Sequence, residues 1–250
     1  MHLIRDQQRC NDDFDFRGCV RLIFRFILPG LILLTTCLSL QAGTDVASQA
    51  RSLQAKWSEI FYEKPKALHS DLYKELLAEV KKLEQHYPTS AEPLIVEAIV
   101  LCTMSGASIG IDSIGMLEEA KILLERAIDI NPPALEGAAY ITLGNLYRRL
   151  PGWPILYGNP DLARQYFLTA LRLYPEAIDS NYFYGDYLLS KGNYAEATQY
   201  LEKATRAQLR PSLIISDKKV RAEAEEALSA AKNKRQVKSD FFSFFTPTFD

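Results

Sequence analysis

The side chains with most chemistry to offer are His69 and His86, Cys102, a Cys37 set in an apolar run, and the adjacent carboxylates Glu118-Glu119 and Glu225-Glu226. Zinc binding or a histidine general base needs partners converging at helical or turn spacing. His69 and His86 lie on or beside one helix, far apart in sequence, with no cysteine or carboxylate at ligand spacing, so neither chemistry is expected. Adjacent glutamates on a helix do not face each other, which makes these pairs solvated faces rather than an acid/base dyad. No glycine-rich phosphate loop follows a strand, and there is no nucleophile elbow. The chain therefore reads as a non-enzyme, with no cofactor and no metal. Cys102, among Ile99, Val100, Leu101 and Met104, reads as a buried structural thiol.

The elements that carry these residues are helical. In the stretch from Asn181 to Pro211, Gly185 and Leu188 precede a Gly192-Asn193-Tyr194 turn, followed by Ala197, Leu201 and Ala204. These offsets fit the tetratricopeptide period of about 34 residues, in which small residues let paired helices approach closely. Gly144, Tyr147, Ala163, Phe167, Ala170 and Pro175 fill the same roles one copy earlier, and Ala98, Leu101, Ala120, Leu124, Ala127 and Pro132 one before that. The predicted fold is all-α, a tetratricopeptide-repeat helical solenoid of three to four helix pairs plus a C-terminal capping helix over Ser216 to Arg235. Two copies carry insertions at the same point, near 103–115 and 148–158. In the second, Leu150-Pro151-Gly152-Trp153-Pro154 bars helix on both sides, and its indole is expected to be buried.

The domain reading is a leader over 1–42, a repeat domain over 43–236 and an aromatic tail over 237–250. Arg21 and Arg25, the apolar run 26–40 and a closing Ser39-Leu40-Gln41-Ala42 have the basic, apolar, small-residue order of a secretory signal, so export is expected. Two readings stand for Cys37. Leu34-Thr35-Thr36-Cys37 places it where a bacterial lipobox cysteine would be acylated, and it also fits within an ordinary signal sequence. With 29 basic against 31 acidic residues, the chain offers no electrostatic footprint for nucleic acid.

Leu143-Gly144-Asn145-Leu146-Tyr147, the Pro-Gly-Trp-Pro element, Gly158-Asn159 and the helix from Ala163 to Pro175 together resemble the T component of tripartite (TRAP) transporters, the TatT family of exported tetratricopeptide proteins. The resemblance covers about Ala91 to Ala231. It implies a periplasmic protein, lipid-anchored in the family, that pairs with a periplasmic substrate-binding protein, forms homo-oligomers and holds lipophilic cargo. A general envelope protein-protein interaction scaffold without a small-molecule ligand is the alternative.

Candidate ligand-binding residues are Trp153 and Tyr157 in one insertion and Met104, Ile109, Ile111 and Ile114 in the other; packing of these segments on their own solenoid is the competing reading. Candidate partner-binding residues on first helices of the pairs are Tyr140, Asn145, Arg148, Asn181, Tyr184 and Tyr187, each with inter-repeat packing as its alternative. Phe241, Phe242, Phe244 and Phe245 in the tail are candidates for docking a partner or a membrane interface.

Overall fold

The computed structural model describes residues 45–107 and 111–235. The leader with its apolar run and Cys37, Ile109 and the tail phenylalanines lie outside the described residues, as does the side chain of Ile111. The described chain is helical: α1 (residues 45–63), α2 (Lys66–His86), α3 (Ala91–Ala107), α4 (Ile111–Ile130), α5 (Ala134–Arg149), α6 (Pro160–Leu173), α7 (Ile178–Ser190), α8 (Tyr194–Arg206), a 3-10 turn (Pro211–Leu213) and α9 (Ile214–Lys232). No helix of the described residues is long and apolar enough to cross a membrane.

The helices form four antiparallel pairs closed by α9. In the first pair, the Lys56–Glu79 and Tyr87–Asp45 contacts, both 2.5 Å, fix opposite directions for α1 and α2. The next pairs are α3 with α4, α5 with α6 and α7 with α8, while α9 lies on α7 and α8. Contacts between α3 and α5, α5 and α7, and α7 and α9 put the first helix of each pair in an inner layer. α1 joins that layer: the Trp57 indole N–H donates to Thr103 Oγ1 at 2.9 Å, and Arg51 sits 3.6 Å from Glu136.

Local chemistry explains the pairing. Asn159 caps α6 by accepting from the backbone N–H groups of Asp161 and Leu162, and Pro160 occupies the first helical position. Ala163, Phe167 and Ala170 then recur on one buried face. A Cβ on Gly144 would lie 2.6 Å from the Phe167 ring, and one on Gly185 2.8 Å from Leu201, so each hairpin closes only because its first helix lacks a side chain there. The turn into α8 uses Gly192 at φ 76°.

Three elements differ from the sequence expectation or go beyond it. The apolar insertion near 103–115 is almost wholly helix, since α3 runs to Ala107 and α4 starts at Ile111. Serines stitch that end: Ser105 donates to the Cys102 carbonyl and Ser113 to the Ser105 carbonyl. The opening of α5 is a left-handed turn, with φ 45° at Leu135, 58° at Glu136 and 75° at Gly137 before regular helix resumes. Finally, Trp153 is not buried: its side chain is 89% exposed. The loop closes on other groups, because Gly158 N–H donates to the Pro151 carbonyl, Asn159 N–H donates to that of Tyr147, and a Cβ on Gly158 would sit 1.8 Å from the Leu150 carbonyl oxygen. The side chain that anchors the loop is Tyr157, whose hydroxyl donates to the Leu117 carbonyl at 2.8 Å.

Candidate binding pocket on the inner face

A cavity of about 100 Å³ opens among the inner helices. α1 supplies Gln54, Trp57, Ser58 and Tyr62; α3 supplies Ile99, Cys102 and Thr103. Leu135, Ala138, Ile141 and Thr142 of α5 and Phe183 of α7 complete the apolar walls, with Leu213 and Val220 on the closing side. The indole of Trp57 is held flat by stacking on Phe61 at 5.1 Å and by its hydrogen bond to Thr103, whose own hydroxyl donates to the Ile99 carbonyl. Burial pushes the Cys102 thiol up, so this wall is a neutral, unreactive surface. Burial also raises the Tyr62 phenol, with the Glu223 carboxylate adding to the effect, and Lys219 lies 6.0 Å from the centre of its ring. First and last described helices thus meet across the pocket.

One end of the pocket is polar. Arg210 donates from Nη1 to Glu136 at 2.8 Å, and from Nη2 to Asp179 at 2.7 Å and Asp217 at 2.5 Å. Its Nε and backbone N–H also reach Asp217, whose side chain is fully buried. Burial works against the guanidinium charge, but the carboxylates of Asp179, Asp217 and Glu136 outweigh it and hold Arg210 above its ordinary value. Burial shifts the Asp179 carboxyl upward, with Arg210 opposing. The left-handed turn at 135–137 delivers Glu136 to this cluster while keeping Leu135 in the pocket wall. Non-glycine residues in that conformation cost about 1–2 kcal/mol each, and the ion pairs are what the structure offers in return.

Among the described residues, none of the ligand candidates Trp153, Tyr157, Met104 and Ile114 lines this pocket. Trp153 projects from the loop, Ile114 is 37% exposed on α4, Met104 packs at the core edge, and Tyr157 anchors the loop. The partner candidates are built into the inter-helix packing. Asn145 and Asn181 are buried and donate to backbone carbonyls, Asn145 to Ile141 and Asn181 to Pro175 and Ala177. Tyr184 and Tyr187 are buried and stacked at 6.1 Å, Tyr140 is half-buried beside Tyr166, and Arg148 pairs with Asp186 at 2.6 Å. The close approach allowed by Gly144 and Gly185 draws these side chains inward, so they hold repeats together.

Sequence comparison agrees with this architecture. The family described as Tetratricopeptide repeat matches residues 178–210, the span of α7, its turn and α8. The fold is a tetratricopeptide-repeat solenoid. No curated protein matches the chain. Such solenoids serve as protein-protein interaction scaffolds, and in this one the tetratricopeptide hairpins also enclose the pocket. Among the described residues, no group of three His, Cys, Asp or Glu side chains could hold a metal ion.

Proposed function

We propose that this tetratricopeptide protein is an exported, non-catalytic binding protein of the TatT kind, acting at the periplasmic face of a bacterial envelope. It engages a protein partner, such as a periplasmic substrate-binding protein, and takes a compact apolar ligand into the inner-face pocket. The pocket itself carries the reading: an apolar cavity with one polar end, walled by helices from every pair and by the closing segment. Its volume suits a benzene-sized body rather than the roughly 300 Å³ or more of a typical drug-sized site. A larger lipophilic ligand requires α9 and the 3-10 turn to move off Tyr62, against the Arg210 cluster. Export is supported by the basic, apolar and small-residue order of the leader.

The test is native mass spectrometry of protein purified from its own envelope. A retained apolar ligand is expected in the wild type and in Trp153→Ala, and its loss in Ala138→Trp, which fills the cavity. Equal ligand in Ala138→Trp, or none in the wild type, counts against the pocket. The scaffold reading without a small ligand draws its support from a different observation, the exposed apolar tip at Trp153 and Ile155.

A further inference from the structure

The loop between α5 and α6 combines order with apolar exposure. Trp153 is 89% and Ile155 67% exposed, and no charged residue occurs from Leu150 to Pro160. The loop is nonetheless fixed at its base by the Gly158–Pro151 and Asn159–Tyr147 backbone bonds, by Tyr157 on Leu117 and by a turn from Ile155 N–H to the Gly152 carbonyl. A rigid loop that holds an indole outward presents a large contact at small entropic cost on binding.

The surrounding charge says what fits it. Glu118 of α4, next to Leu117 whose carbonyl holds Tyr157, and Asp161 of α6, two positions past Asn159, are exposed at the loop base. Nearby cations are turned to other uses. Lys121 pairs with Glu125 and lies over the Tyr157 ring, Arg164 faces Tyr184 and Tyr187, and the side chains of Arg148 and Arg149 are 8% exposed beside Asp186. An apolar tip with two exposed carboxylates at its base is a poor match for an anionic lipid surface and fits a protein pocket rimmed by lysine and arginine.

We infer that Trp153 and Ile155 form a docking knuckle for a protein partner whose apolar pocket is bordered by basic side chains. This rests on the reading of the chain as a partner-binding repeat protein, and it assigns the contact to the outer loop rather than to the inner-layer tyrosines and asparagines. The indole and the Ile155 side chain fill the partner's pocket, while Glu118 and Asp161 pair with its rim and accelerate encounter.

Site-specific photocrosslinking tests it. Benzoylphenylalanine replaces Trp153 in the full chain, expressed in cells of the organism that encodes it, and the crosslinked protein is identified, purified and titrated with the wild type and variants. Trp153→Ala is expected to weaken binding about tenfold or more, and Glu118→Lys with Asp161→Lys to weaken it and flatten its salt dependence. Trp153→Ala keeps its thermal midpoint because the side chain is exposed, and the charge-reversed variant stays folded with a small drop, since Asp161 lies in the first turn of α6. Sedimentation with vesicles of phosphatidylcholine, alone or in equal parts with phosphatidylglycerol, is expected to leave the protein in solution. The inference is overturned by crosslinks to lipid or to nothing, by vesicle binding that Trp153→Ala abolishes, or by a captured protein that binds Trp153→Ala as tightly as the wild type. Ligand retention in Trp153→Ala separates this outcome from failure of the pocket.

Discussion

Arg210 and Glu136, 74 positions apart in sequence, are joined at 2.8 Å between Nη1 and Oε2, which ties the start of α5 to the segment that closes the pocket. Asp179 and Asp217 complete the shell around the guanidinium, so one cation neutralises carboxylates from α5, α7 and α9. Removing it would leave three carboxylates facing one another in a part-buried space. Arg210→Met is expected to destabilise the protein by about 3 kcal/mol, measured by urea unfolding, with Arg210→Lys between it and the wild type. A loss within experimental error for Arg210→Met would show that the cluster does not hold α9 in place.

Gly144 against Phe167 tests the repeat packing. Gly144→Ala places a Cβ where the ring now lies and is expected to cost about 1–3 kcal/mol. Combining it with Phe167→Leu should recover part of that cost, with a coupling energy of at least about 0.5 kcal/mol in a double-mutant cycle. Additive losses would mean that the two residues do not share the contact.

Glu97 sets a pH dependence. It is 2% exposed in α3, Lys81 lies 3.3 Å from Oε1, and Oε2 has no hydrogen-bond partner. Burial raises its carboxyl above the ordinary 4.5, with Lys81 opposing. A raised carboxyl contributes stability that is complete below the ordinary value and lost as pH rises through the folded one. Glu97→Gln should therefore be more stable than the wild type at neutral pH, with the difference shrinking as pH falls through the raised folded value and smallest below 4.5. Thermal midpoints of the two proteins across pH check the sign; a difference that grows toward acid would contradict it.

The repeat positions were legible because Gly144 with Phe167 and Gly185 with Leu201 encode a steric requirement at fixed spacing. Asn145 and Asn181 misled for the same reason: the inner layer contacts neighbours on both sides, so a polar residue on its face is as easily a backbone-bonded core group as a ligand contact. The exposure of Trp153 follows from backbone bonds between the loop ends, which residue types alone do not specify. The Arg210 cluster gathers acids from positions 136, 179 and 217, and no local pattern in sequence links them. Trp57, one of two tryptophans in the chain, is the nearest sequence signal for the pocket.

Trp57 also supplies the most direct test of the pocket. Trp57 and Trp153 are the two tryptophans of the chain, so Trp153→Phe leaves the pocket indole as sole reporter. Titration of that variant with benzene, followed by tryptophan emission, should give a saturable change that is absent when Ala138→Trp,Trp57→Phe, whose reporter fills the cavity, is titrated in the same background. A linear response in Trp153→Phe, or an equal saturable response in the filled variant, would contradict a binding pocket on the inner face.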